Sequence, residues 1–522
     1  MKREIERFEG KDGFERYLSF LAESHRHYEL SVTHVLKKNF TSLWSMMRLS
    51  FLVHLFELHP FESIYARAAK YFWTERLRRV FTFGSMYMGM SPFDAPGTYS
   101  LLQYTELAEG IWYPRGGFHK VIEALVNIGE RLGVQYRFNA PVSRITHEHG
   151  RATGVELQSG VTLTADIVIC NADLVYAYNN LFLSSASTQP SKSDILAQST
   201  TQSPYAKSLA ERPASCSSIS FYWSLSQTVP QLSAHNIFLA ESYKKSFDSI
   251  FKKHLIPEQP SFYVNVPSRI DPSAAPPDRD AIVVLVPVGH LLTDAGTDST
   301  HAGTPANKEG KQDWNAMVDL ARKTILATIE ARTGTSLAPL ITHEEVNTPA
   351  SWRERFNLDR GAILGLSHSF FNVLCFRPST RHQYEGMGNG ASSLLSWSSW
   401  KSLLGLGGGL RDLYFVGAST HPGTGVPICL AGGKVTSEQI LKDYGITPPW
   451  AAANGQGQQG REAQGGGSIL GGSDALVAGQ KSGGEGIDLV QRGAKLTGLE
   501  VLGYAVSFLI ALLVTVWLAG RK

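Results

Sequence analysis

The sequence predicts an α/β protein with a mostly helical segment in front of it and one apolar helix at its C-terminal end. Three observations predict this. "LYFVGASTHPGTGVPICLAGGKVTSEQIL", Leu413 to Leu441, reads as a short apolar strand, a glycine-rich turn and a helix. Residues 111–182 alternate between strand and helix signals punctuated by glycine. Leu499 to Ala519 is a run of 21 residues whose single charge, Glu500, falls in its first turn.

Residues 1–110 form the helical region. From Phe14 to Lys70 apolar positions recur every three or four residues (Leu43, Met46, Met47, Phe51), with no glycine between Gly13 and Gly84 and one proline, Pro60. An aromatic and methionine-rich stripe from Trp44 to Met90 suits the wall of a large apolar cavity as well as an ordinary helical core. In residues 111–182, Gly116-Gly117 precedes an amphipathic helix over Phe118 to Leu132, and Gly133 is its stop. Strands follow at "VQYRF" and through "VSRITHEHGRATGVELQSGVTLTADIVICNAD", broken at Gly150 and Gly160. Residues 183–400 carry the strands "FYWSLS" and "AIVVLVPVGH" and two polar insertions, Ser184–Ser203 and Asp294–Lys311. Residues 401–445 hold the strand, turn and helix of the opening observation. Residues 446–498 collapse to Gly, Gln, Ala and Ser, a flexible linker.

The apolar run 499–519 spans about 31 Å as a helix, which matches a bilayer core. With Trp517 at interface depth and Arg521 and Lys522 behind it, it reads as a single-pass anchor. The N-terminus "MKREIERFEG" has no apolar stretch, so the body is expected on the cytosolic side. A net charge of +3 on 522 residues, without a basic block interleaved with aromatics, excludes a nucleic-acid surface. Cys170, Cys216, Cys375 and Cys429 lack CxxC spacing, and the 16 histidines form no HExxH motif, so no metal site is expected. "HRH", His25 to His27, is read as a solvated helix face.

Six ordered stretches carry a family resemblance: "WYPRGG" (Trp112–Gly117), "NADLVYAYNNL" (Asn171–Leu181), "RPASCSSISFYWSL" (Arg212–Leu225), "DPSAAPPDRDAIVVLVPVGH" (Asp271–His290), "FNLDRGAILGLSHSFFNVLCFRPSTRH" (Phe356–His382) and "YFVGASTHPGTGVPICLAGGK" (Tyr414–Lys434). Together they resemble the carotenoid desaturases of the fungal and bacterial phytoene desaturase type, over Met1 to about Tyr444. The resemblance implies the FAD/NAD(P)-binding, amine-oxidase-like flavoprotein fold with a helical cap and substrate domain. It also implies FAD as cofactor and stepwise dehydrogenation of phytoene toward lycopene or further desaturated carotenes. The final electron acceptor (quinone, NAD(P) or dioxygen) and a homo-oligomer stay open, and the endoplasmic reticulum is the expected membrane.

The residues follow from that resemblance. Gly417, Thr420, Pro422, Gly423, Gly425 and Val426 would lie against the flavin, where missing side chains let backbone approach. Gly432 and Gly433 are expected to open the helix and supply free N–H groups. Val142 in "APVSRI" would lie near the adenine, and Asn171 and Asp173 near the cofactor. Glu75 and Arg78, one turn apart in "TERLRR", would face the substrate tunnel, and with His421 they are the candidates for moving the proton.

The family also opens with a strand, a GxGxxG turn, a helix and an acidic residue for the ribose. The chain's match to that turn, "GMGNGA" (Gly386–Ala391), has no apolar strand before it. The expectation is a chain starting inside the family's pattern, a short product or one begun at an internal methionine. It would keep the ring-side half of the FAD site without the pyrophosphate half, and would not hold FAD unaided. The competing readings are a truncated non-catalytic form, and a flavin oxidoreductase for another isoprenoid, retinol saturase-like or acting on diapocarotenoids.

Overall fold

The computed structural model describes residues 1–182, 203–292, 312–383, 408–448 and 450, apart from 47 and 56. The "GMGNGA" stretch, nearly all of both polar insertions and of the linker, and the apolar run 499–519 lie outside the described residues. Among the described residues no helix is long and apolar enough to cross a membrane.

The N-terminal region is helical but not one continuous helix. Helices cover Gly13–Ser31, Leu49–Leu55, Ile64–Ala68 and Glu75–Thr82. The periodic reading over Phe14 to Lys70 breaks around "NFTSLW", where the Ser45 hydroxyl accepts from the Ser42 amide and donates to the Ser42 carbonyl in place of a helical ladder. Two apolar clusters hold the region. One gathers Tyr17, Phe20, Phe72, Leu77 and Phe81, with the Phe72 and Phe81 rings stacked 4.5 Å apart. The other gathers Leu30, Phe40, Phe51, Leu55 and, from far along the chain, Phe376. The buried Glu9 carboxylate accepts from the amides of Trp73 and Thr74, both at 2.8 Å, and pairs with Arg16 at 2.9 Å.

The helix Gly13–Ser31 buries Phe20, Ser24, His27 and Leu30. "HRH" is therefore not a solvated face throughout. His25 is exposed, but His27 is fully buried, because the three-to-four residue period turns it inward with Phe20 and Leu30.

The helix His119–Arg131 follows, with Gly133 at φ 84° ending it as expected. "VQYRF" is not a strand, since no neighbouring strand among the described residues offers it a ladder. Strands β1 (Val142–Glu148), β2 (Arg151–Leu157) and β3 (Thr162–Thr164) form an antiparallel sheet. Gly154 is obligatory there: a Cβ would sit 2.0 Å from the Leu163 carbonyl oxygen. Strand β4 (Val168–Cys170) starts a separate sheet.

The largest sheet comprises β5 (Ser217–Leu225), β6 (His235–Phe238), β7 (Phe262–Asn265), β8 (Ala281–Val288) and β9 (Ile341–Asn347). Its order is β6-β7-β8-β5-β9, antiparallel throughout. The helix Trp314–Thr333 buries Met317, Ala321, Ile325 and Ile329, every fourth residue, in one cluster with Phe221, Trp223, Val284 and Val286 of the sheet. Arg322 forks onto Glu344, which also accepts the Trp223 indole N–H at 2.7 Å.

Strand β10 (Leu413–Phe415) returns to pair in parallel with β4, Leu413 opposite Val168 and Phe415 opposite Cys170. A parallel pair needs a long crossover, and here all of β5 to β9 lies inside it. The helix Val426–Asp443 follows β10 after one turn. The small parallel pair leads into that turn, and the N-terminal region reaches it at Lys38 and Phe40.

Candidate active site

The turn between β10 and the closing helix is built for close approach. Gly417, Gly423 and Gly425 have φ of 130°, 134° and 105°, values that L side chains rarely adopt. A Cβ on Gly417 would meet only Asn171 Oδ1, at 3.0 Å. The Thr420 hydroxyl donates to the Gly417 carbonyl at 2.9 Å and locks the loop on itself. The amides of Ala418, Ser419 and Gly423 have no hydrogen-bond acceptor among the described residues, and that of Gly425 meets only the Cys429 sulfur. Gly425 is the N-cap of an 18-residue helix and provides no side-chain cap, so among the described residues the amides of Val426 and Ile428 are also unspent, while Pro427 between them has no N–H. Such a concentration of unspent N–H groups is an anion or carbonyl cradle.

The helix therefore starts at Val426, not at Gly432-Gly433. Those two glycines lie in its second turn, Gly432 packed toward Pro422 and Gly433 open. Pro422 stands before the turn's last glycines, and Val426 is exposed at the helix entrance.

His421 is buried and sits under the N-terminal region. Its Nε2 donates to the Lys38 carbonyl at 2.8 Å, and its ring meets Phe40 edge-on at 5.2 Å. That bond makes Nδ1 the bare acceptor, and Nδ1 is buried with no partner among the described residues. Burial pulls the imidazole down to about 4, so it is neutral at physiological pH. His368 is the complement. Its Nε2 accepts the Thr424 amide at 3.3 Å, so Nδ1 carries the proton, and that buried donor also lacks a partner. Unsatisfied buried polar atoms of this kind call for an occupant.

Sequence reasoning missed Arg377. Its buried guanidinium spends all five N–H groups on backbone carbonyls. Nε donates to Thr420 O at 3.1 Å, and Nη1 to Ser367 O and Asn372 O at 3.1 and 2.8 Å. Nη2 donates to Leu366 O at 3.4 Å and to Ala418 O. Among the described residues no carboxylate contributes to its environment, and burial lowers its pKa to about 10. Its sequence signal was only a charge directly after the apolar stretch "FFNVLCF".

The other expected residues are dispersed. Asn171 ends β4 beside Gly417, whereas Asp173 is spent as a helix N-cap, accepting the Tyr176 amide at 2.9 Å. Burial raises Asp173 to about 6. Val142 opens β1 opposite Leu157, on the three-stranded sheet rather than the one carrying the turn. Glu75 and Arg78 do not pair. Glu75 is exposed and takes Arg79 at 2.9 Å, while Arg78 donates to the Phe72 and Trp73 carbonyls. The buried face of their helix is Leu77, Phe81 and Thr82.

One further cluster lies in the helical region. Glu23, His27 and His59 bring ligand atoms within 4.8 Å of one another. They are already satisfied: Glu23 by Arg67 and Tyr71, His27 by Ser100 Oγ at 2.8 Å and the Glu57 carbonyl at 2.9 Å. They read as a buried polar knot joining helix and loop.

The glycine cradle, its free amides and the uncapped helix fit the carbonyl-bearing edge of a flavin, and a flavin-dependent oxidoreductase is the class of protein they suit. In agreement, residues 37–205 match the family model described as flavin containing amine oxidoreductase. Phytoene desaturase of Cercospora nicotianae is 57% identical over 488 residues, 88% of this chain and 75% of that protein. Phytoene desaturase of Fusarium fujikuroi is 59% identical over 461 residues, 86% of this chain and 73% of that protein. A zeta-carotene-forming phytoene desaturase of Myxococcus xanthus is 34% identical, across 87% of this chain and 75% of its own length. The chain belongs to the phytoene desaturase family of carotenoid desaturases.

Proposed function

We propose that this protein dehydrogenates phytoene stepwise, toward lycopene or further desaturated carotenes, with FAD as cofactor. The observation that carries the reading is the turn Gly417–Gly425, open to close approach and rich in free amides, in a chain of this family. Gly417, Ala418, Ser419, Gly423, Gly425 and the start of the closing helix would hold the ring system, with Asn171 beside them. When bound, FAD supplies the two-electron acceptor for a hydride leaving a substrate C–H bond.

The chain's own residues supply placement and a proton acceptor. Phytoene is a hydrocarbon, so its binding rests on apolar area at ~25 cal/mol per Å². His421 is the base we assign to the adjacent C–H. Its neutral Nδ1 lone pair is held in place by the bond from Nε2 to Lys38. A ring with so low a pKa is a weak base at rest, and it is matched to a carbon made acidic by hydride loss. Glu75 and Arg78 retain no arrangement that favours them for this step.

We further propose that the apolar run 499–519 anchors the protein in a membrane, the endoplasmic reticulum, with its body in the cytosol. Its length, single charge and basic end support this. A bilayer is also where a hydrocarbon substrate resides. The final electron acceptor is proposed as a quinone or NAD(P), and the assembly as a homo-oligomer. The deciding experiment supplies purified protein, FAD and a quinone to phytoene-loaded liposomes and follows the lengthening conjugated chromophore. Absence of any product more desaturated than phytoene would overturn the proposal.

A further inference from the structure

We infer that Arg377 is a positioning residue for the cofactor: its guanidinium orients the turn Gly417–Thr420 and provides the buried positive charge that favours the electron-rich form of the flavin. This rests on FAD binding at that turn, as proposed above.

The geometry separates two roles. The Thr420 and Ala418 carbonyls both point inward to Nε and Nη2, so the peptide units between them are fixed in sense. With the Ala418 carbonyl turned in, the Ser419 N–H of the same peptide unit faces the other way and has no acceptor among the described residues, and the Gly417 carbonyl, held by Thr420, leaves the Ala418 amide in the same state. On its other side the same fork grips Leu366, Ser367 and Asn372, tying the turn to the segment that carries His368. Only a planar five-donor fork satisfies five carbonyls at once, and a lysine ammonium has three donors on one point.

The charge needs its own account. Carbonyls alone could be satisfied by strand pairing or water, whereas burying a guanidinium without an anion is costly. Arg212, also buried, adds to the positive potential, and Tyr99, Cys429, His368 and His421 are further titratable groups that feel Arg377, whose charge helps keep both histidines neutral. A permanent cation without a carboxylate is poised for charge that arrives with the reaction. When the flavin accepts a hydride it gains negative charge, and a nearby fixed cation lowers the energy of that state.

Two variants separate fork from charge. Arg377→Lys keeps the charge and loses the fork, and Arg377→Met loses both. FAD affinity is measured by fluorescence titration, and the flavin midpoint potential by spectroscopic redox titration of the loaded protein. The dissociation constant should rise tenfold or more in both variants. The midpoint should move to more negative potential in Arg377→Met and stay near wild type in Arg377→Lys. Should Arg377→Met not fold, the lysine variant decides: weakened FAD with an unshifted potential supports the inference. Wild-type affinity in Arg377→Lys, or a wild-type potential in Arg377→Met, overturns it. Wild-type protein that takes up no FAD would instead defeat the proposal that this chain by itself forms an FAD site, and would match the expectation that it carries only the ring-side half.

Discussion

Replacing Gly417 by alanine separates a cofactor cradle from an ordinary tight turn. At φ 130° a residue with a Cβ is strained, which costs ~1–3 kcal/mol. The methyl would meet no backbone atom within 4 Å, only the end of the Asn171 side chain at 3.0 Å. The stability loss should therefore be the backbone strain alone, a fall in Tm of a few degrees. The effect on FAD should be larger, because the methyl occupies the approach surface and relaxation of φ turns the Ala418 and Ser419 amides away. Losing one or two such bonds, at ~1–1.5 kcal/mol each, weakens FAD by roughly tenfold to a hundredfold. Thermal scanning and FAD fluorescence titration read the two effects separately. Gly154→Ala is the control. Its Cβ would lie 2.0 Å from the Leu163 carbonyl oxygen on the three-stranded sheet, so it should unfold the protein more readily while the folded fraction keeps its affinity. If Gly417→Ala loses the few degrees but binds FAD like wild type, the turn is structural and the cofactor assignment is wrong.

His421→Asn should cut the rate of phytoene conversion by ~10² or more while FAD stays bound; an unchanged rate removes His421 as the base. Acid should destabilise the fold well above the carboxylate range. His27 and His421 are held neutral near 4 and His382 near 3, so between these values and about 6.5 the unfolded chain binds protons that the folded chain does not. Stability is thus full above pH 6.5 and falls toward pH 4, by up to ~3 kcal/mol per histidine. Denaturant midpoints that stay flat from pH 7 to 4.5 would contradict this. Ile325→Ala, at the centre of the helix packed on the five-stranded sheet, should lose 2–5 kcal/mol by denaturant unfolding without changing FAD affinity in the folded state. Deleting residues 499–522 should release the protein from carbonate-washed membranes, and a variant that still pellets would show that another surface holds it.

The sequence by itself determined the elements whose cause is local. The strand, turn and helix at Leu413 to Leu441 were legible because apolar β-formers, clustered glycines and a run of helix-forming residues each act over a few positions. The stop at Gly133 and the strands around "FYWSLS" and "AIVVLVPVGH" were legible for the same reason. Even there the helix start was misplaced at Gly432-Gly433, since a glycine pair mimics a loop wherever it lies, and packing against Pro422 keeps it helical. What only the tertiary structure decided depends on contacts between distant residues. "VQYRF" has strand composition but no partner to complete a ladder. His27 looked solvated until the helix turned it beneath the loop at Glu57. Glu75 and Arg78 are neighbours in sequence that choose other partners in space. The bond from His421 to Lys38 spans 383 residues, and the Arg377 fork collects carbonyls from two segments over 40 residues apart. Burial converts these ordinary polar side chains into a neutral base and an unpaired cation, and burial is a property of the packed chain.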